Sequence, residues 1–257
     1  MVKTIYRNLS RQATLAHTAF FEFYPRIGRR LSYRLYRKAL VHLAEVNPCT
    51  LVPIPELGIS AGRSMAAGKG QTSPRRWQLI HQTLPRGASL ALDIGCHNGF
   101  FPLRLAAAGL FAIGVDPDED LLRLAQLAAL ETKIDRVAFC QMFVTPDNIS
   151  ILPEVDVTLV MSVMHRWVRA YGREAAERML QILWHKTRGC LYFEIPNPCQ
   201  NSKEAALLSY MGDSEERCEQ FMTELLSGLG AREVQLLGYF PTDFRPNERR
   251  HLFVAKR

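Results

Sequence analysis

Apolar positions follow two alternating rhythms along the chain from about residue 77 onward. Short apolar runs that end in glycine or a charged residue predict buried strands, while apolar residues three and four positions apart predict amphipathic helices. The predicted strands are SLALDIG, LFAIGVD, RVAFCQMFV, DVTLVMSV, GCLYFEI, AREVQLLGYF and RRHLFVAKR. The predicted helices are WQLIHQTL, GFFPLRLAAAG, DEDLLRLAQLAALE, one long helix over 168–186 and one or two across 202–228.

This alternation predicts a doubly wound α/β domain. Strands of this length separated by helices form a mostly parallel sheet that is covered on both faces, with the helices as right-handed crossovers. We place this domain at 76–257. Residues 1–75 are assigned to a basic helical extension followed by a lid or linker that is rich in glycine and proline.

The basic charge is concentrated in the N-terminal third of the chain. Residues 1–80 hold 13 Lys or Arg against three Glu, whereas the whole chain has a formal net charge of +7. Within this third, residues 26–43 place apolar side chains at helical spacing, with Arg29, Arg30, Arg34, Arg37 and Lys38 over much of the remaining circumference, which predicts a cationic amphipathic helix. Four partners stay open for this helix: an anionic membrane surface, RNA, an acidic protein, or the protein's own core with the basic face in solvent.

The sequence disfavours membrane-spanning, secreted and metal-binding proteins. The longest stretch without a charged side chain is 11 residues, over 105–115, and a membrane-spanning helix needs about 18 to 20. The N-terminus lacks the clean apolar core of a signal peptide. The six cysteines form no C-x-x-C pair, which predicts reduced thiols and no metal site. We expect a cytoplasmic protein, with peripheral attachment to a membrane left open.

The turn after the first predicted strand, ALDIGCHNGF, carries the candidate chemistry. Gly95 allows a sharp turn and Gly99 opens the next helix, so the intervening amides face a ligand. A dinucleotide site would need a further glycine where His97 stands, so pyrophosphate is disfavoured. Asp116 ends the second strand, where an acid can accept both hydroxyls of a ribose. The pattern favours a nucleoside cofactor without a diphosphate.

These segments resemble the class I methyltransferases that depend on S-adenosylmethionine (SAM). LALDIGCHNGFFPLRLA is similar to their first motif, FAIGVDPDEDLL to the second, DVTLVMSVMHRW to the fourth strand and its loop, and GCLYFEIPNP to the fifth strand. The resemblance covers roughly residues 77–257. It implies a seven-stranded sheet whose last strand is antiparallel, which agrees with the closing pair of strand patterns.

The resemblance also implies roles for individual residues. Asp93, Gly95 and Gly99 would hold the methionine part of SAM, and Asp116 the ribose. His97 would either reach the methionine carboxylate or face solvent as an ordinary turn residue. The full predicted cofactor set is Asp93, Gly95, Cys96, His97, Gly99, Asp116, Pro117, Phe143 beside the adenine, and Ser162 with Val163 along the floor of the site.

The loop after the fourth strand is where the acceptor of the methyl group should enter. His165 is the predicted general base, because imidazole titrates near neutral pH, and helix capping or packing is its alternative role. Glu194 is the second candidate catalytic residue, as orienter of His165 or ligand of the acceptor. Arg166 and Trp167 are predicted to shape the acceptor pocket, with a place in the core as the alternative for Trp167.

Three functions remain open from the sequence. The first is a methyltransferase that acts on a hydroxyl or amine of a small-molecule, lipid-linked or glycan acceptor. The second is an RNA methyltransferase that uses the basic N-terminal region, and the third is a SAM-binding scaffold without activity. The sequence does not distinguish the acceptor or the oligomeric state.

Overall fold

The computed structural model describes residues 27–46, 54, 72–198, 205–241 and 249–257. Most of the predicted lid or linker after Pro48 lies outside these residues. The domain boundary predicted at residue 76 falls inside a helix, Thr72–Thr83, that packs Ile80 into the core.

The centre of the molecule is a seven-stranded sheet in the order β3-β2-β1-β4-β5-β7-β6. Strand β7 runs antiparallel to both of its neighbours, and the pairs among β1 to β5 are parallel. This arrangement confirms the predicted sheet and its antiparallel last strand. The strands are β1 Leu90–Ile94, β2 Phe111–Asp116, β3 Val137–Gln141, β4 Val155–Met161, β5 Thr187–Pro196, β6 Glu233–Pro241 and β7 Arg249–Lys256.

Helices cover both faces of the sheet. The helices are α1 Ile27–Val46, α2 Thr72–Thr83, α3 Phe100–Ala107, α4 Glu119–Thr132, α5 Met164–Tyr171, α6 Arg173–His185 and α7 Glu215–Gly228, with short 3-10 turns at Ile149–Ile151 and Ser209–Met211. One apolar cluster joins α5, α6 and α7 to the sheet, and a second joins α2 and α3 to it. The parallel strands therefore end together at one edge between two packed layers, which is where ligands bind in such folds.

The long helix predicted over 168–186 is wrong. The structure has two helices, α5 and α6, that meet at Gly172. This glycine adopts φ 83° and ψ 164°, a backbone conformation that interrupts the hydrogen-bonded ladder and that other residues rarely adopt. Because α5 begins at Met164, directly after β4, it carries His165 and Arg166 at the ligand edge of the sheet.

The basic helix α1 docks on the domain through its apolar side. Leu40 is buried in a cluster with residues of α4. The hydroxyl of Tyr33 donates a hydrogen bond to Glu131, and Arg37 Nε lies 3.1 Å from the same carboxylate. Helix α1 therefore packs against the protein's own core, which is one of the four partners left open by the sequence.

The opposite side of α1 remains exposed. It presents Arg34, Leu35 and Lys38 to solvent. Among the described residues, no helix combines the length and apolarity that crossing a membrane requires.

Candidate active site

The turn after β1 depends on its two glycines. Gly95 has φ 72°, and a Cβ atom on it would lie 2.6 Å from Cγ2 of Val163. Gly99 has φ 80°, and a Cβ atom there would lie 2.6 Å from Cβ of Ala125. At contacts this short a side chain on either glycine would force its neighbour to move, and a positive φ disfavours any other residue. The turn is therefore pressed against the loop after β4 on one side and against α4 on the other.

Asp116 ties the end of β2 to this turn. Its Oδ2 accepts a hydrogen bond from the backbone N–H of His97 at 2.8 Å, and its Oδ1 accepts from the N–H of Asp118 at 2.9 Å. A carboxylate has about four acceptor positions. The two backbone bonds orient the carboxylate and leave acceptor capacity for hydroxyl groups of a ligand.

Asp93 sits in a very different environment. It is 2% exposed, and neither carboxylate oxygen has a hydrogen-bond partner within the described part of the chain. Burial raises the pKa of Asp93 well above its ordinary value, and the negative charge of Asp116 raises it further. A buried carboxylate beside a second acid is costly without a positive partner. The arrangement is suited to a cationic ligand.

The remaining predicted cofactor residues gather at the same edge. The side chain of Cys96 is buried against β2, since a Cβ atom on Gly114 would lie 2.8 Å from its Sγ, and burial raises its thiol pKa. His97 is half-buried and has φ 55°. Pro117 is exposed at the end of β2, and Phe143 is 58% exposed just after β3. Exposed apolar surface at the rim of the site is available to a flat ring.

Ser162 and Val163 connect the cofactor turn to the acceptor side. Ser162 has φ 60°, and its N–H donates to the carbonyl oxygen of Glu194 at 2.8 Å. Its hydroxyl also donates to the Glu194 carboxylate. The next side chain, Val163, packs on Gly95. The position of this loop thus depends on β5 and sets the packing of the glycine turn.

Glu194 is the centre of a buried ionic cluster. It is 1% exposed, and its Oε2 lies 2.8 Å from Nε of Arg76 on α2. Its Oε1 lies 3.6 Å from Nη1 of Arg250 on β7, and Arg250 also donates to the hydroxyl of Ser162. The described contacts of Glu194 are therefore with two arginines and a serine. Through these contacts, Glu194 holds the side chains of Arg76, Arg250 and Ser162 in place.

His165 is buried one residue into α5. It is 7% exposed, and its Nδ1 has no hydrogen-bond partner in the described residues. Burial, which is the largest cause, and the positive charges of Arg250, Arg166 and Arg169 together lower the pKa of His165 to about 3. The imidazole is neutral at physiological pH, so it can accept a proton but holds it weakly.

The two predicted pocket residues separate in the structure. Arg166 is exposed on α5. Trp167 is 4% exposed and belongs to the apolar cluster between α5, α6 and the sheet. Its position corresponds to the core alternative and not to a pocket.

Sequence reasoning missed Arg76 and Arg250, which flank Glu194. The signal that could have found them is indirect: an acid at the end of an apolar strand requires a basic partner. It also missed Asn197, which is fully buried just after β5. Within the described residues, no group of three or more His, Cys, Asp or Glu side chains is arranged to hold a metal ion.

Comparison with known proteins supports the assignment of the fold. No family model matches the chain. The Escherichia coli O-antigen chain terminator bifunctional methyltransferase/kinase WbdD is 29% identical over 102 residues, which are 39% of this chain and 14% of that protein. The chain therefore spans well under half the length of the relative that it matches.

Solved structures share the architecture at low identity. The bifunctional kinase-methyltransferase WbdD superposes with a TM-score of 0.65 at 22% identity, over 84% of this chain and 45% of that one. The magnesium protoporphyrin IX methyltransferase of Synechocystis PCC 6803, with bound SAH, gives a TM-score of 0.51 at 20% identity, over 73% of this chain and 82% of that one. The chain thus has the class I methyltransferase fold, and the predicted resemblance is confirmed at the level of the fold.

Proposed function

We propose that this protein is a SAM-dependent methyltransferase. The observation that carries the proposal is the buried carboxylate of Asp93, whose oxygens have no partner in the described chain and whose pKa is raised by burial and by Asp116. A ligand with a positive charge would stabilise both acids, and an ammonium group next to a sulfonium provides such charge. A diphosphate in the same place would add negative charge to them.

The residues at the edge of the sheet fit the parts of this cofactor. Asp93 and the turn from Gly95 to Gly99 would hold the amino-acid portion, and Asp116 would accept the ribose hydroxyls. Phe143 would flank the adenine, and Ser162 with Val163 would form the floor. Bound SAM supplies a methyl group that is electrophilic because it is attached to a sulfonium. The chain itself contributes orientation, which supplies much of the rate in such transfers.

The acceptor would enter beside α5. We assign His165 as the group that accepts a proton from a hydroxyl or amine, since it is neutral and lies directly after β4. Arg166 is exposed beside it and would contact the acceptor. Glu194 holds Ser162 and two arginines, so we assign it a positioning role.

For the acceptor, we favour a small-molecule, lipid-linked or glycan compound. The buried polar side chains at this edge support a polar acceptor, and the name of the similar WbdD protein, an O-antigen chain terminator, points in the same direction. RNA methylation and a scaffold role without activity are the alternatives. We propose a cytoplasmic location.

Calorimetry with SAM tests whether the protein binds this cofactor, which all three candidate functions require. Wild type should bind, and Asp116→Ala should bind roughly ten- to a hundredfold more weakly, because a hydrogen bond to a charged group contributes about 1.5 to 3 kcal/mol. Asp116→Asn is the milder variant if alanine impairs folding. Asp135→Ala, exposed just before β3, is the matched control. Equal SAM binding by wild type and all variants would show that Asp116 does not hold the cofactor.

The exposed basic side of α1 suggests attachment to an anionic surface. Vesicles with and without anionic lipid, and an RNA oligomer, would be compared for binding at two salt concentrations. The variant Arg34→Gln/Lys38→Gln should weaken the preferred interaction while the melting temperature stays unchanged, since both side chains are exposed. Binding that is the same in wild type and variant would exclude this role for α1.

A further inference from the structure

A concentration of positive charge surrounds His165. Arg166 and Arg169 lie on the same helix, one and four residues further along. Arg250 reaches the start of this helix from β7 through its hydrogen bond to Ser162. All three arginines act electrostatically on the imidazole. One of these arginines, Arg250, also lies beside the carboxylate of Glu194, which it shares with Arg76.

His165 also has unused hydrogen-bonding capacity. The residue is more than nine-tenths buried, and its Nδ1 has no partner in the described residues. A buried polar atom in this state costs about 1 to 3 kcal/mol relative to one that is hydrogen-bonded. In the Nδ1–H tautomer this atom is a donor, and an oxygen acceptor would remove the cost.

We propose that the acceptor carries an oxyanion, a phosphate or a carboxylate, which binds beside His165 against Arg166, Arg169 and Arg250. The proposal rests on the methyltransferase function proposed above and defines its substrate class. An anion in this place accepts a hydrogen bond from His165 and is stabilised by the arginines. Arginine is suited to the task because its planar guanidinium matches phosphate and carboxylate geometry.

Binding of the oxyanion has a consequence for the chemistry of His165. The charged groups of the described chain that act on the imidazole are Arg250 of β7 and Arg166 and Arg169 of α5, and Glu194 of β5 is paired with Arg250. Burial, followed by the charges of the three arginines, lowers the pKa of His165 to about 3. A negative charge next to the ring raises that pKa towards neutrality. Acceptor binding therefore makes His165 a better proton acceptor.

Nuclear magnetic resonance of the histidine rings tests the proposal. The chain has seven histidines, and the His165 signal is identified by its loss in His165→Gln, or by sequential assignment if that variant does not fold. Inorganic phosphate and acetate are titrated at constant ionic strength made up with chloride. Phosphate, acetate or both should move the His165 signal and shift its titration to higher pH. The anion that binds more tightly indicates whether the acceptor carries a phosphate or a carboxylate.

Arginine variants separate a built site from general attraction to a basic protein. Arg169→Gln should weaken binding of the preferred anion roughly tenfold, because a charge-assisted hydrogen bond is lost. Arg178→Gln, an exposed arginine on α6, is the matched control and should leave binding unchanged. A His165 signal that neither anion moves, or equal weakening by both variants, overturns the proposal.

The outcome is separable from that of the proposed function. SAM binding is measured by calorimetry on the same samples. If SAM binds but His165 does not respond to either anion, the substrate class is wrong and the methyltransferase proposal stands. If the anion binds but SAM does not, the proposed methyltransferase function is wrong and the anion site is still supported.

Discussion

Asp93 lies one residue before the end of β1 and Asp116 ends the adjacent parallel strand β2, and within the described residues the carboxylate of Asp116 alone is supplied with hydrogen-bond donors. Asp116 accepts from two backbone N–H groups, whereas both oxygens of Asp93 are buried without a partner in the described residues. The charge of Asp116 further raises the pKa of Asp93. The pair therefore stores an electrostatic cost in the free protein that a cationic ligand would remove.

Asp93→Asn should stabilise the free protein while it abolishes binding. The raised pKa of Asp93 means that the folded state favours the protonated acid, so its stabilising contribution is present at low pH and is lost as pH rises above the unfolded value near 4. At pH 7 the neutral amide avoids this cost. We expect a higher melting temperature for the variant and no further increase on adding SAM.

Asp135→Asn is the control for this prediction, because it makes the same replacement of a carboxylate by an amide at an exposed position. It should keep the increase in melting temperature that SAM produces in wild type. A lower melting temperature for Asp93→Asn at pH 7 would contradict the electrostatic reading of the site.

The burial of His165 should appear in the pH dependence of stability. Its folded pKa of about 3 lies below the unfolded value near 6.5, so the unfolded state binds the proton more readily between these values. Stability is therefore complete above pH 6.5 and is lost as pH falls towards 3. The loss amounts to at most about 5 kcal/mol.

Denaturant unfolding of wild type and His165→Gln across this pH range measures the effect. The difference in unfolding free energy should move in favour of the variant as the pH falls. His185→Gln, at an exposed position on α6, supplies the comparison. Parallel pH profiles for wild type and His165→Gln would refute the prediction.

The ionic cluster around Glu194 should be strongly coupled. Glu194→Gln leaves the buried guanidinium of Arg76 and the half-buried one of Arg250 without their shared carboxylate, and breaking a buried ion pair in this way costs about 3 to 5 kcal/mol. Removing Arg76 as well, as Arg76→Met/Glu194→Gln, should cost less than the sum of the single variants. A double-mutant cycle by urea unfolding gives the coupling energy. Additive effects would show that the pair does not act as a unit.

The contact between Gly95 and Val163 gives a steric prediction. Gly95→Ala should destabilise the protein by about 2 kcal/mol or more, because the new methyl group meets Val163 and the backbone has a positive φ. Adding Val163→Ala should recover part of this loss and leave the conformational cost of about 1 kcal/mol. Thermal unfolding of the two variants tests this, and a double variant less stable than Gly95→Ala would contradict it.

Much of the architecture was predictable because its signals are local. The rhythm of apolar residues marked the positions of all seven strands, and the glycines at 95 and 99 marked the turn that follows β1. The acids at 93 and 116 could be placed at one edge because parallel strands of a doubly wound sheet end together. The break at Gly172 was missed because helical periodicity continues on both sides of a single glycine.

The sequence by itself determined the class of fold and the acids that form one end of the site, since both follow from residue types at short spacing. Only the tertiary structure decided that Glu194 is held by Arg76 and Arg250, that Trp167 lies in the core, and that His165 is buried among arginines. These relationships join residues far apart in the chain. The order of the strands creates them, and burial sets their electrostatics, so no local pattern contains them.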